Sequence, residues 1–548
     1  MGYLLPILLA LGSLALDDFD LGGEASWPLV IPLLAIVPHA LAAIEKRAAM
    51  GGKFRFASGC SRLRRSAPVM LQYIAVGALG WRRWLEVELD IYLSPFEWPD
   101  LTLLLALAPF FVFAFLAIDA EARLNSRTRS TRSHMRRFQL RMFAAATLPI
   151  AAYLAIAALF GAHEELRVGI EEVALWGILF TAGLLLLFIY GLPIFLRHTW
   201  DTEELDQGPQ FELLQRVANL ASFRCRSLLV WRTGGLVANA AIVGLTPGSR
   251  RVFFTDALLR RLGPRELAAV FAHEIGHAKR HHVPTFLIWA LGYFTSLDLL
   301  VTYIDPEEEW LGLGILLAAL GIWGLGFGWL SRRAELEADL YCHQLLRDGV
   351  GITSALQSVT AGRHDRSGWR HFSTNKRIEF LGRASVDPEV GRRLCRRLRI
   401  LKFAGLALLI GAGALQITRL VQRYPEDRVR VELRLGRYES AALRLATVER
   451  PEDDLAQLVN RVSTSLKVNY DTRHEAGQAC LEQARRALVA ADGEATYAWL
   501  ELASATGDRT AGRAAAAMRG LALDEDSSAE PETPPGTWRD EIEAILNR

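Results

Sequence analysis

Cysteine is scarce in this chain, and the few cysteines stand apart. Cys60, Cys225, Cys342, Cys395 and Cys480 form no C-x-x-C pair, which leaves no thiolate metal cage and argues against a disulfide framework. An excess of one charge is also lacking: 62 Lys and Arg nearly cancel 60 Asp and Glu, leaving +2, so nothing overall favours a nucleic-acid partner. Ionisable residues are nearly absent from the middles of the long apolar runs. That absence weighs against a transporter, whose substrate path needs charges inside the membrane.

What the chain does have is apolar residue, 51% of 548, above the soluble norm. Nine stretches read as membrane spans: Tyr3–Leu16, Trp27–Ile44, Pro68–Trp81, Leu101–Ile118, Met142–Ala162, Val173–Leu196, Pro284–Ile304, Trp310–Leu330 and Ile400–Val421. Most approach the ~20 residues that cross a bilayer as a helix. The first is short enough for a signal-peptide core, but no basic segment precedes it, and it reads as an uncleaved anchor. The third is also short, with a re-entrant or interfacial segment as its alternative.

The segments between these stretches alternate in sign. Asp17–Glu24, Arg82–Asp100, His163–Glu172 and Asp305–Glu309 are acidic, whereas Lys46–Arg65 and Arg123–Arg141 carry seven Lys or Arg each. Basic connections stay in the cytoplasm, which places the long Arg197–Val283 segment and the Arg-rich Arg332–Arg399 stretch inside, and everything after Val421 outside. The expected fold is mainly α: a polytopic membrane protein of about nine spans, with a small β-sheet in a cytoplasmic domain. The expected divisions are 1–196 as an N-terminal membrane region of about six spans, 197–399 as a metal-site domain with two more, 400–421 as the last span and 422–548 as a helical extramembrane domain. In the last, Leu435–Ala442 resembles one helix of a tetratricopeptide-type repeat, a module that would dock a protein partner. Asp524–Gly536, rich in acid, Ser and Pro, reads as a flexible linker.

Chemistry concentrates at His273-Glu-Ile-Gly-His277. Pro264 suits a first helical position, and the apolar spacing that follows keeps the motif on one helix. Histidines four apart share a face and can reach one ion, while Glu274 beside them can hold a water without ligating. A catalytic zinc needs a third protein ligand. His281 stands eight residues past His273, about 12 Å along a helix, too far to close on the same ion. Ser331-Arg-Arg-Ala-Glu-Leu-Glu-Ala-Asp339 supplies a carboxylate from the same expected side of the membrane. Glu335 is the expected ligand and Asp339, on the same face, the group that orients a ligating histidine; Glu337 is expected to point away. Without the histidine pair the same segment would read as a solvated acidic helix end balanced by Arg332 and Arg333.

Together, H-E-I-G-H and the S-R-x-x-E-x-x-A-D that follows it resemble the membrane gluzincins that include HtpX and the CAAX prenyl proteases, over roughly Val230 to Leu381. The resemblance implies a membrane zinc endopeptidase with one Zn2+ per chain. It also implies that Asn239 and Ala240, in Val237-Ala-Asn-Ala-Ala-Ile242, hold substrate on a strand edge, although Asn239 reads equally well as a turn residue. His371 and Arg377, in His371-Phe-Ser-Thr-Asn-Lys-Arg-Ile378, match the family's downstream His-Pro-x-x-x-x-Arg-Ile and would help stabilise the oxyanion; Phe372 replaces the family's Pro. Protein or peptide substrates, a lipid bilayer and a bacterial inner membrane with the site facing the cytoplasm complete the expectation. Quality control of membrane or misfolded proteins, CAAX-type processing and a zinc-stabilised scaffold without catalysis stand as the three functional readings.

Overall fold

The computed structural model describes residues 4–13, 27–85, 105–125, 129–161, 163–304, 309–360, 367–445, 473–490, 493–505, 510–515 and 537–546, with a few single positions between them. The acidic connections Asp17–Glu24 and Asp305–Glu309, most of Arg82–Asp100 and the Asp524–Gly536 linker lie largely or wholly outside these residues. The chain divides into two compact units, one formed by Met1–Leu159 with Leu184–Gln416 and the other by Phe160–Gly183 with Ile417–Arg548.

Apolar runs fold as helices because a helix satisfies its own backbone wherever water is excluded. In the first unit the helices begin with α1 (Leu4–Gly12), α2 (Trp27–Leu34), α3 (Val37–Met50), α4 (Phe54–Tyr73), α5 (Ala108–Asn125) and α6 (Arg129–Gly161). Both basic connections expected from the sequence are therefore largely helical among the described residues, Lys46–Arg65 falling on α3 and α4 and Arg123–Arg141 on α5 and α6. Some of their charges are partnered: Arg64, 2% exposed, reaches Glu45 at 3.1 Å and Glu121 at 2.9 Å, and Arg136 lies 3.4 Å from Asp119.

Next along the chain come α7 (Glu164–Glu172) and α8 (Ala174–Thr199), then a four-stranded sheet of β1 (Thr202–Glu204), β2 (Ser227–Trp231), β3 (Ala240–Val243) and β4 (Arg251–Thr255), in the order β1-β2-β4-β3. β2 and β4 run parallel, and each pairs antiparallel with its outer neighbour. Around the sheet lie α9 (Pro209–Leu220), α10 (Asp256–Arg261), α11 (Pro264–Lys279), α12 (His282–Ile304), α13 (Glu309–Leu346), α14 (Gly349–Thr360), α15 (Thr374–Val386) and α16 (Pro388–Arg434). Phe254 and Phe271, edge to face at 5.5 Å, join β4 to α11 in a core with Leu214, Val252, Leu267 and Ile275.

Among the described residues, four helical segments are long and apolar enough to cross a membrane: Ala174–Thr199, Pro264–Ile304, Gly314–Leu346 and Pro388–Arg434. In the second, the apolar run is in α12 rather than in α11, which carries Arg265, Glu266, Glu274 and Lys279. Leu179, Leu186 and Leu187 on α8 and Leu316, Leu317 and Ile322 on α13 are exposed, as suits a lipid-facing surface.

The second unit is helical among its described residues. α17 (Tyr438–Leu445), α18 (Arg473–Val489), α19 (Gly493–Ala505) and α20 (Thr537–Leu546) belong to it, and Cys480, Ala484, Leu500 and Ile542 lie in its largest core cluster. It also holds α7, whose Glu171 and Glu172 lie 3.4 and 2.9 Å from Arg434, while Glu165 pairs with Arg437.

Candidate metal centre

α11 begins at Pro264, where Glu266 turns back to accept the Gly263 N–H at 2.9 Å. Its buried face (Leu267, Phe271, Ile275) anchors it to the sheet and leaves His273, Glu274 and His277 turned toward α13. Gly276 is what allows α13 to come close. A Cβ there would stand 3.1 Å from both Cα and the carbonyl oxygen of Ala338 and 3.2 Å from the Tyr341 ring. The backbones touch at this point, and Glu335, one turn earlier on α13, reaches the histidines.

His273 Nε2 and His277 Nε2 lie 3.2 Å apart, and each is 3.6 Å from an oxygen of Glu335. Two donors bound at about 2.0–2.1 Å to one tetrahedral ion would stand about 3.3–3.4 Å apart. The spacing therefore fits zinc, and the two-nitrogen, one-oxygen donor set leaves a fourth direction open. Among the described residues this is the group of His, Cys, Asp and Glu donors that converges tightly enough to hold an ion.

Each of these three side chains has a partner behind it. His273 Nδ1 lies 2.9 Å from Asp339 Oδ1, and Asp339, fully buried, accepts from Arg377 Nε at 2.7 Å and Nη2 at 2.6 Å. Arg377 Nη1 is 3.6 Å from Glu335, so one guanidinium braces both carboxylates. On the other side, His277 Nδ1 meets His282 Nδ1 at 2.9 Å, and His282 Nε2 meets Glu337 Oε2 at 2.9 Å. Lys402 Nζ closes this chain at 3.1 Å from Glu337 and donates to the Arg280 carbonyl at 2.7 Å.

His282 and Lys402 are absent from the sequence reading. Glu337 does point away from the ion, but it is 3% exposed: the opposite face of α13 is covered by the start of α12 and by α16. Spacing could have flagged His282, which falls five residues after His277 just past the helix end. The chain turns there because His281 adopts φ +54°, a left-handed conformation uncommon outside glycine, and this swings His282 back under His277. His281 itself is exposed. The acidic segment is no solvated helix end either, since Glu335 is 8% exposed and the neighbouring arginines are engaged elsewhere, Arg333 over the Trp329 ring and Arg332 on the Trp369 carbonyl.

These surroundings set the charge states. Desolvation, with repulsion from His273 and His282, pushes His277 down to about 3, which keeps it in the neutral form that ligates. For His273 burial works downward, but Asp339 outweighs it and raises the imidazole. Burial opposes ionisation of Glu335 as well, yet the His371 hydrogen bond, His273 and Arg377 hold it below the usual carboxylate range. Desolvation pushes Glu274 up to about 7, and it has no hydrogen-bond partner among the described residues. Such a carboxyl is suited to taking and returning a proton near neutral pH.

His371 stands over the site, 57% exposed, with Nδ1 3.3 Å from Glu335 Oε1. Ser373, whose side chain accepts from Lys376 N–H, caps α15 just beyond it, so the helix bearing Arg377 starts cleanly although Phe372 stands where the resemblance has Pro. Asn239 is exposed, and its backbone is pinned to Thr255: its N–H donates to Thr255 Oγ1 at 2.9 Å and its carbonyl accepts from Thr255 N–H at 3.0 Å. Ala240, 8% exposed, starts β3, a strand at the open edge of the sheet that packs along α11.

Residues 212–422 match the model of peptidase family M48. That stretch of the chain is similar to the M48 peptidases. Similar to it are the protease HtpX homolog 2 of Methanosarcina acetivorans, 26% identical over 29% of this chain and 58% of that one, and the protease HtpX homolog 1 of Streptomyces coelicolor, 28% identical over 28% and 55%. The CAAX prenyl protease 1 homolog of Arabidopsis thaliana is 25% identical over 32% of this chain and 45% of that one. The chain thus spans about half the length of the curated relatives it matches. The crystal structure of S. mikatae Ste24p aligns with 68% of this chain and 98% of its own at 14% identity and a TM-score of 0.43. The matched stretch takes in β2 to β4, the histidine pair, Glu335 and most of α16.

Proposed function

We propose that this chain is an integral-membrane zinc endopeptidase acting on membrane or misfolded proteins, with its centre on the cytoplasmic face of a bacterial inner membrane. The observation that carries the reading is the convergence of His273, His277 and Glu335 beside a carboxylate, Glu274, that has no structural partner. A scaffold needs no such base.

In this reading His273, His277 and Glu335 hold the metal, and Asp339 and His282 fix the two imidazoles. When bound, zinc supplies the Lewis acidity that lets water give up a proton near neutral pH. Glu274 takes that proton on its carboxylate and returns it to the leaving amine. His371, exposed above Glu335, is placed to donate to the developing oxyanion. Arg377 is assigned to positioning, because Nε and Nη2 are committed to Asp339. The substrate adds a strand to β3. β3 and β4 alternate between hydrogen-bonded and open pairs. Because Asn239 bonds with Thr255, the next bonded pair is Ala241 with Phe253, leaving the N–H groups of Ala240 and Ile242 facing the open edge.

The cytoplasmic placement draws support from which charged segments meet. In the first unit, segments expected inside lie together: Arg64 with Glu45 and Glu121, and Arg141 with Asp201 at 2.8 Å. In the second, the acidic His163–Glu172 segment and the chain after Val421, both expected outside, pair through Arg434 and Arg437.

The test is peptide profiling of the purified chain and its Glu274→Gln variant, with zinc content measured in parallel and prenylated C-terminal peptides in the library. Zinc retained in both and cleavage lost only in the variant is the expected result. Cleavage confined to prenylated peptides would transfer the chain to the CAAX-type reading, and no cleavage by either form would leave the scaffold.

A further inference from the structure

Well away from the metal centre, a cavity of about 150 Å³ opens where α6, the end of α8 and the end of β2 meet. Its floor is aromatic. Trp200 and Trp231 stack face to face at 3.9 Å and 5°, and Trp200 Nε1, shut off from solvent, has no hydrogen-bond partner among the described residues. An indole N–H donates and cannot accept, and a buried donor without a partner is costly.

The rim is cationic. His134, Arg137 and Arg141 project from one face of α6, and Arg232 comes from the end of β2. Arg141 is neutralised by Asp201 at 2.8 Å and Arg232 by Glu203. Arg137 is exposed and has no acidic partner among the described residues, so the cavity keeps net positive charge. On the same face of the sheet as Trp231, Arg251 is 5% exposed and likewise has no acidic partner among the described residues.

Position along the chain narrows the ligand. The α6 residues that line the cavity end at Met142, where the apolar run Phe143–Phe160 begins, and Trp200 directly follows α8, one of the helices apolar enough to cross a membrane. Both helices therefore bring the cavity to the water end of an apolar run. Tryptophan rings settle at that depth, and basic pockets between membrane helices there take phosphate-bearing headgroups. We propose that the Trp200–Trp231 cavity is a binding site for a phosphate group, supplied by an anionic lipid headgroup, that docks the β2 end of the sheet onto the bilayer. This rests on the reading of α8 as a membrane span.

The full chain, purified in a neutral detergent, is titrated with phosphatidylglycerol, with diacylglycerol and with inorganic phosphate, and bound molecules are counted by native mass spectrometry. The wild type is expected to retain phosphatidylglycerol and not diacylglycerol. Arg137→Gln should weaken that retention by about fivefold, the worth of one basic residue at an anionic surface. Arg62→Gln, which removes an exposed charge on α4, should leave it unchanged. Saturable binding of inorganic phosphate that Arg137→Gln weakens, without lipid retention, would keep the site and make free phosphate its ligand. Retention equal in the wild type and Arg137→Gln, or an equal loss in Arg62→Gln, would overturn the proposal. The assay uses micelles and no protease substrate, so neither inactivity nor an inverted topology is confused with its failure.

Discussion

His282 Nε2 stands 2.9 Å from Glu337 Oε2 while its Nδ1 meets His277 Nδ1 at 2.9 Å, so Glu337 backs the imidazole that backs His277. His282→Ala should lower zinc affinity by about 10–100-fold, the usual cost of losing a group that orients a ligating histidine, and Glu337→Gln should move it in the same direction. Competition with a graded chelator reads this directly. Unchanged zinc retention in both variants would make the His277, His282 and Glu337 chain a packing feature only. Chelation of the wild type should lower its melting temperature, because metal binding adds to folding free energy.

Gly276 against Ala338 yields a second expectation. Gly276→Val adds a branched side chain where a bare Cβ already meets backbone at 3.1 Å, so α11 and α13 must part. Overpacking of this kind costs roughly 1–3 kcal/mol. Zinc retention should fall although no ligand has changed, with Gly276→Ala between the two. A Val variant with full zinc content would show that Glu335 reaches the histidines without close helix contact.

The strand edge separates two proline substitutions. Ala241→Pro removes a donor of the β3–β4 ladder and should lower stability, whereas Ile242→Pro removes a donor facing the open edge. The latter should raise KM about 3–10-fold, the worth of a single hydrogen bond at roughly 0.5–1.5 kcal/mol, with zinc content intact. Equal KM values for Ile242→Pro and the wild type would rule out substrate pairing along β3.

Topology is testable without activity. A reporter fused within Glu203–Asn219 should stay cytoplasmic, and one fused after Val421 should be exported. The two on one side of the membrane would remove the nine-span arrangement.

Much of this was legible because periodicity and motif spacing report local geometry. Histidines four apart on a helix begun by Pro264, and Glu335 four residues before Asp339, need nothing beyond helical pitch to be read. Spacing could have flagged His282, but Lys402 was not legible, because its value depends on α16 lying against the back of α13, a fact of tertiary packing. The face of Glu337 followed from helical pitch, but pitch says which way a side chain points and not what covers it. For the same reason, Lys46–Arg65 showed its charge but not its helices, since a basic helix and a basic loop satisfy the same charge rule. The pairing of Glu165 with Arg437 joins positions far apart in sequence, which no local pattern encodes.

Glu335 sits on the same continuous helix as the lipid-facing residues of α13, and His273 and His277 lie just before the apolar run of α12. An ion held by all three is therefore a clasp across a helical hairpin, closing a long loop whose ends would otherwise be free to separate. Under the proposed function, a chain whose α12 and α13 have not paired would lack a complete ligand set. Peptidase activity would then wait on the chain's own helical assembly, with the hairpin acting as the latch.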